Sequence, residues 1–160
     1  MKRTLSAILS LVLLGMATPA FADPYAKTFA DPSGGKDVTL AALLGRAKKT
    51  MPDVSAVKVP LYPEAKAISI EDPMGDTLPA VKLLSADAPE KVTAFFKTKL
   101  DGWNSSSRFG MTGFSADEVS LMGPAKPTVV IMAFDPASFD PKFFKEMKTQ
   151  ILVYYSAKTK

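Results

Sequence analysis

Residues 85–103 read SADAPEKVTAFFKTKLDGW, and this segment carries the signals of one amphipathic helix. Asp87 stands where an N-cap carboxylate accepts hydrogen bonds from the first free amides, and Glu90, three residues later, completes a capping-box pattern. Pro89 suits the first turn, where its missing donor costs nothing. Gly102 supplies the left-handed residue that ends a helix. The apolar residues that recur at helical spacing are Val92, Phe95, Phe96 and Leu100. The segment therefore predicts a helix with one apolar side that a sheet or other helices must cover.

Segments on both sides of this helix predict strands, because their apolar residues alternate or run together. Residues 66–71 and 81–84 alternate around a turn-rich loop and predict a hairpin. Residues 128–134 are apolar on both faces, as in a strand that is covered twice. The remaining predicted elements are strands at 108–114, 118–122 and 151–155, a short strand or extended arm at 57–61, a loop at 104–107, and short helices at 38–50 and 141–148. We expect an α+β fold: a mainly antiparallel sheet of four to six strands, packed on a central amphipathic helix, with one or two additional short helices.

The N-terminal segment predicts export. A short basic start and an apolar run over residues 5–16 lead to the motif Ala20-Phe-Ala22, which is typical of signal-peptide cleavage. The apolar run is shorter than the ~20 residues that a spanning helix needs, so we expect a cleaved signal and no membrane span in the mature chain. Cleavage between Ala22 and Asp23 would make the protein periplasmic or secreted.

Three regions follow from this cleavage. They are a signal peptide at 1–22, a flexible leader at 23–37 that is rich in Pro, Gly, Ser and Asp, and a single α+β domain at 38–160. Removing 22 of 160 residues leaves 138, which is enough for one domain with a sizeable core.

Composition limits the chemistry. The chain has no histidine and no cysteine, which excludes Ser-His-Asp and Cys-His catalysis, imidazole or thiolate metal sites, covalent haem attachment and disulfides. The net charge is +4, and the signal peptide carries two positive charges and no negative ones, so the mature charge is +2. We therefore expect no nucleic-acid partner, no metal and no cofactor.

Two segments together resemble a group of small exported bacterial proteins and lipoproteins of uncharacterised function. The first is VPLYPEAK at 59–66; the second is DAPEKV at 87–92, followed by FFK at 95–97 and LDGW. Members of that group typically have V-P-x-Y-P-G-A and, in the helix, F-Y-K before a G-W ending. Here Glu64 stands in place of the usual glycine, and Phe96 in place of the usual tyrosine. The resemblance implies an α+β sheet-and-helix domain and implies no activity.

One apolar surface stands out as a candidate contact site. The second face of the late strands carries Val130, Met132, Phe134, Leu152 and Tyr154. If no helix covers this face, it is an exposed apolar patch of the kind that marks a binding surface. If the short helices cover it, the strand is a buried centre strand.

Two functions from different classes follow. The first is a non-catalytic periplasmic or secreted binding or accessory protein, whose partner is an apolar ligand, another protein or a second copy. The alternative is a small carboxylate-dependent envelope hydrolase acting on glycans, which needs two carboxylates about 5–10 Å apart across a cleft. The carboxylates considered are Glu71, Asp72 and Asp76 on one side, and Asp117, Glu118, Asp135 and Asp140 on the other.

Overall fold

The protein forms one six-stranded antiparallel sheet with a helix packed on it. The computed structural model describes residues 27–29, 36–39, 42, 52, 59–138 and 144–156. Two short strands, β1 (Thr28–Phe29) and β2 (Val38–Thr39), pair with each other. The other elements are β3 (Lys66–Glu71), β4 (Ala80–Ser85), α1 (Pro89–Lys99), β5 (Asn104–Arg108), β6 (Met111–Ser115), β7 (Thr128–Ala133), a 3₁₀ turn (Pro136–Ser138) and β8 (Thr149–Tyr154). The predicted α+β class is confirmed.

The order across the main sheet is β3-β4-β8-β7-β6-β5. The expected hairpin over 66–71 and 81–84 forms as β3 and β4, with a bulge between Ala67 and Ser69. The last strand, β8, inserts between β4 and β7, so the C-terminal segment joins the β3–β4 hairpin to the three consecutive strands β5, β6 and β7 in one sheet. The most apolar segment, β7, lies inside the sheet, as its sequence predicts.

The helix α1 covers one face of the sheet, which we call the helix face. Val92 and Phe96 are fully buried, Leu100 is buried, and Phe95 packs at the margin of the core. They meet alternating residues of the central strands, among them Val81, Leu83, Val129, Ile131, Ile151 and Val153. The predicted apolar stripe is therefore confirmed, with Phe96 as its most buried aromatic residue.

The N-terminus of α1 differs from the one that the sequence predicts. Its N-cap residue is Ala88, which makes no side-chain capping bond, so the predicted capping box is wrong. The Asp87 carboxylate instead accepts hydrogen bonds from the Tyr62 hydroxyl at 2.7 Å and the Lys91 ammonium at 2.8 Å. Pro89 lies in the first turn and Gly102 has a φ of 82°, as predicted.

Four predicted segments differ from the structure, wholly or in part. Residues 104–107, predicted as a loop, belong to strand β5. Residues 118–122, predicted as a strand, contain bends and no strand. The predicted strand at 108–114 is interrupted by the turn at Phe109–Gly110, so it contains the end of β5 and most of β6. Residues 59–61, the described part of the segment predicted as a strand or extended arm, are outside the strands, and Val59 and Leu61 belong to the core.

The two predicted short helices lie largely outside the described residues. Of the 38–50 helix, Val38 and Thr39 are in β2, and Ala42 is helical with its amide bonded to the Thr39 hydroxyl. Of the 141–148 helix, Phe144 is helical and is followed by a turn.

Candidate binding surface

The loop that joins β5 to β6 is the most unusual part of the described backbone. It consists of Phe109 and Gly110, with φ angles of 54° and 73°, and the flanking residues Arg108 and Met111 pair across it. Two consecutive positive φ angles in a two-residue hairpin loop indicate a type I′ turn, which favours Asn, Asp or Gly at both positions. Gly110 fits this preference and Phe109 does not.

Phe109 also lacks the packing that would explain an aromatic residue. Its side chain is 91% exposed. A left-handed conformation costs a residue with a Cβ roughly 1–2 kcal/mol, and this ring recovers little of that by burial. Backbone strain of this kind is concentrated at functional positions, so the combination of strain and exposure singles out Phe109 as a candidate contact residue.

A groove of about 570 Å³ lies on one side of the hairpin; we call it the loop groove. One wall is β5, and the other is the segment 117–122 that follows β6. The Asn104 side-chain amide donates to the Asp117 carbonyl at 2.9 Å and so fastens the two walls. The groove combines apolar side chains, including Met122, which is 77% exposed, with the carboxylates of Asp117 and Glu118.

A second groove of about 620 Å³, the helix groove, lies between the hairpin and the first turns of α1. Its helix wall carries Thr93, Ala94 and Lys97. Arg108 and Phe109 line both grooves, so the hairpin tip forms the ridge between them. An incoming chain or ligand would meet an aromatic ring, a guanidinium group and two adjoining concave surfaces.

The segment 116–127 fixes the geometry of the loop groove. It crosses the face of the sheet opposite α1, which we call the far face, and its residues Val119 and Leu121 lie directly over Gly113 of β6. A Cβ on Gly113 would collide with Leu121 and would approach Val119 Cγ1 to 2.7 Å. The absence of a side chain at Gly113 therefore allows this close approach.

The far face carries all five residues of the predicted contact surface. Val130 and Leu152 are direct cross-strand partners and are buried, and Phe134 is buried too. Phe134 packs against Phe144 in a second small core with Leu84 and Met147. The other two, Met132 and Tyr154, are half-buried.

The two sets of carboxylates are distributed over the molecule. Glu71 forms an ion pair with Lys82 at 2.5 Å, at the β3 side of the sheet. Asp72 and Asp76 lie in the loop between β3 and β4, and Asp135 follows β7. Asp117 and Glu118 are consecutive residues of the loop groove, where Asp117 pairs with Lys126 at 2.9 Å. Asp140 lies outside the described residues.

The most connected polar group is the Asp87 carboxylate, beside the start of α1. Its hydrogen bond with Lys91, and then that with Tyr62, lowers the pKa of Asp87. Burial and the neighbouring carboxylate raise the pKa of Tyr62. The Tyr62 ring stacks edge-on against Phe95 at 5.1 Å between centroids, so this pair fastens residues 59–65 to the helix. Its contacts are internal, which indicates a structural role.

Within the described ranges, no three Asp, Glu, His or Cys residues cluster closely enough to hold a metal ion. None of the helices in the described part of the chain is long and apolar enough to cross a membrane.

Few local signals in the sequence indicate the hairpin tip. Residues 104–107 are polar and predict a loop. They form strand β5, whose pairing with β6 leaves a turn of only two residues. Gly110 was the available signal, because glycine at the second position of a two-residue loop is typical of type I′ turns.

Comparison with known proteins found no matching family model, no matching curated protein and no matching solved structure.

Proposed function

We propose that the protein is a non-catalytic binding or accessory protein that acts in the periplasm or after secretion, through the tip and grooves of the β5–β6 hairpin. The observation that carries the proposal is Phe109, an aromatic side chain held 91% exposed on a strained backbone. Phe109 lowers the stability of the fold and buries little apolar surface. Selection retains such a residue only if its exposed ring contributes to a function. Contact with a partner is such a contribution, since aromatic residues dominate the energetics of interfaces.

The surroundings of Phe109 support the same proposal. Arg108 stands next to it, and arginine is enriched at binding interfaces together with aromatic residues. The two grooves on either side offer concave surfaces with a mixture of apolar and charged groups. The half-buried far-face residues Met132 and Tyr154 are a less exposed candidate surface for the same role.

The glycan-hydrolase alternative has less support. It needs two carboxylates that face each other across a cleft. Asp117 and Glu118 are consecutive along one wall of the loop groove, and Asp117 is paired with Lys126. The residues that line this groove include none of Glu71, Asp72 and Asp76.

The binding proposal is tested by mapping contacts on the purified mature protein. The ¹⁵N-labelled protein is titrated with a detergent-solubilised envelope fraction of the producing cell, and its amide signals are followed by NMR. We expect the signals of residues 104–112 and 117–122 to shift or broaden, and Phe109→Asn to abolish this response. The control Met74→Ala removes another exposed side chain, 81% accessible, from the opposite end of the sheet and should leave the response unchanged. A response confined to other residues, or no response from a protein that is also monomeric at every concentration, would contradict the proposal.

Export is tested separately. The intact mass of the protein recovered from the envelope or medium should correspond to a chain that begins at Asp23. A mass that includes residues 1–22 would show that the signal is retained.

A further inference from the structure

The strand β5 is a regular, accessible edge of the sheet. Within the described residues its only strand neighbour is β6, with which it forms five consecutive pairs without a bulge. The opposite edge, β3, is interrupted by the bulge at Ala67–Ser69, a feature that discourages further pairing. Four of the five β5 residues are exposed and the fifth, Ser106, is half-buried. The two edges therefore differ, and β5 is the one suited to accept another strand.

The turn determines which backbone groups of β5 point outward. A two-residue type I′ loop closes on a pair that exchanges both backbone hydrogen bonds, here Arg108 and Met111. Hydrogen-bonded and non-hydrogen-bonded pairs alternate along an antiparallel ladder. The backbone groups of Ser106 are therefore directed to β6, and those of Ser105 and Ser107 are directed away from the sheet.

We propose that β5 pairs with β5 of a second copy of this chain, antiparallel and centred on Ser106, so that two sheets join into one of twelve strands. The proposal rests on the contact surface proposed above and names its occupant. In this register Ser105 of one copy lies opposite Ser107 of the other, and the outward groups of both residues pair in two reciprocal sets. An interface in which the same patch serves both partners is the usual arrangement of a two-fold dimer.

Charge supports this register. Arg108 of one copy lies beside Asn104 of the second copy, on the far face. Asn104 is bonded to the Asp117 carbonyl, so Glu118 of the second copy, which follows Asp117 in the loop groove, adjoins the incoming guanidinium group. The Asp117 carboxylate itself is paired with Lys126. The two-fold axis repeats this complementarity at the other end of the strand.

The exposed ring has a place in the same arrangement. Phe109 follows Arg108 at the turn, so in this register its ring lies at the end of the joined strands where Trp103 of the second copy precedes that copy's β5. Trp103 is half-buried at the margin of the core. Two aromatic pairs at the ends of the joined strands supply the apolar contact that a serine-rich edge lacks.

Two other states of the β5 edge are distinguished by the test below. The first is a solvated edge, because short polar edge strands also serve to prevent pairing. The second is an extended segment of a different protein, which would add to β5 by the same backbone bonds.

The absence of cysteine makes the register directly measurable. In a pair centred on Ser106, the two Ser106 residues form a non-hydrogen-bonded pair with Cα atoms about 4.5 Å apart, within disulfide range. The matched controls are Ser105→Cys and Ser107→Cys on the same strand. In this register their equivalent Cα atoms are separated by two residue steps along the strand, beyond the ~7 Å limit for a bridge.

Each variant of the mature protein is treated with diamide, which takes up the two hydrogens released as two thiols form one disulfide. We expect a covalent dimer from Ser106→Cys and none from the two controls under conditions that leave all three folded. Analytical ultracentrifugation of the cysteine-free protein should show a reversible dimer, which Phe109→Asn weakens at least about tenfold.

Equal crosslinking at all three positions, or none with a monomer at every concentration, would overturn the second-copy inference. If the envelope fraction still shifts the hairpin signals in that case, the binding proposal stands and the occupant is a different protein. If neither response is seen, both proposals fail.

Discussion

Replacing Phe109 with asparagine should make the protein more stable, although it removes an aromatic ring. Asparagine tolerates the left-handed conformation, and Asn-Gly is the preferred sequence for a type I′ turn. The variant Phe109→Asn would therefore relieve the strain at a φ of 54° while keeping the hairpin register.

The size of the effect follows from two opposing contributions. Relief of the left-handed strain is worth roughly 1–2 kcal/mol. The ring of Phe109 is 91% exposed, so its loss removes only about 20 Å² of buried apolar surface, or about 0.5 kcal/mol. The net stabilisation is about 0.5–1.5 kcal/mol, which corresponds to a rise in Tm of about 2–6 °C for a domain of this size.

Thermal and urea unfolding of the mature protein, followed by circular dichroism, measures this directly. Phe109→Ala is the matched control, because alanine also removes the ring but lacks the side-chain amide with which asparagine stabilises the left-handed conformation. We expect a higher Tm for Phe109→Asn and an unchanged or slightly lower one for Phe109→Ala. A clear loss of stability in Phe109→Asn would show that the ring packs within the fold, and the argument for a contact role would lose its basis.

Three further outcomes test the fold. Phe96→Ala should lower the free energy of unfolding by about 3–5 kcal/mol, because its ring is fully buried. The control Lys97→Ala, on the exposed side of α1, should change it by less than about 1 kcal/mol. Similar Tm shifts for both would show that the buried and exposed sides of α1 are wrongly assigned. Because the pKa of Asp87 is lowered in the folded state, its charge stabilises the protein above the unfolded pKa near ~4 and this stability is lost as the pH falls through the lower folded pKa. Asp87→Asn should therefore be less stable than the parent at pH 7, with the gap closing in acid; a gap independent of pH would contradict the linkage. Gly113→Ala should cost about 1–3 kcal/mol by pushing away the segment over β6, as seen in urea midpoints; an unchanged midpoint would show that Leu121 adjusts freely.

The central elements could be predicted from the sequence because burial imposes a period on them. Val92, Phe96 and Leu100 recur at helical spacing, and the helix packs with this side on the sheet. The apolar segment around Val130 has no polar face, and β7 lies inside the sheet. In both places local pattern and tertiary contact favour the same structure.

The errors occur where tertiary contacts overrode a local pattern. Residues 104–107 are serine-rich and lack strand propensity, yet they form β5 because an edge strand needs only one partner, β6. Val119 and Leu121 alternate like a strand, yet they cover Gly113 instead of joining the sheet. Asp87 has the type and position of an N-cap residue, but its carboxylate instead accepts hydrogen bonds from the Tyr62 hydroxyl and from Lys91.

The candidate site was less predictable than the fold. Exposure of Phe109 follows from the two-residue length of its loop, which depends on the pairing of Arg108 with Met111. Arg108 belongs to β5, whose polar composition does not predict a strand. The grooves depend in turn on where the 117–122 segment lies, and no local pattern specifies that position.

Photo-crosslinking in the producing cell tests directly whether the hairpin tip contacts a partner. A benzophenone side chain is installed at position 109 in one strain and at position 74, which is also highly exposed, in another, and both are irradiated without disrupting the envelope. We expect a discrete covalent adduct from position 109, of twice the chain mass if the partner is a second copy, and none from position 74. No adduct from position 109, or the same adducts from both positions, would contradict the claim that the hairpin tip is the contact surface of this protein.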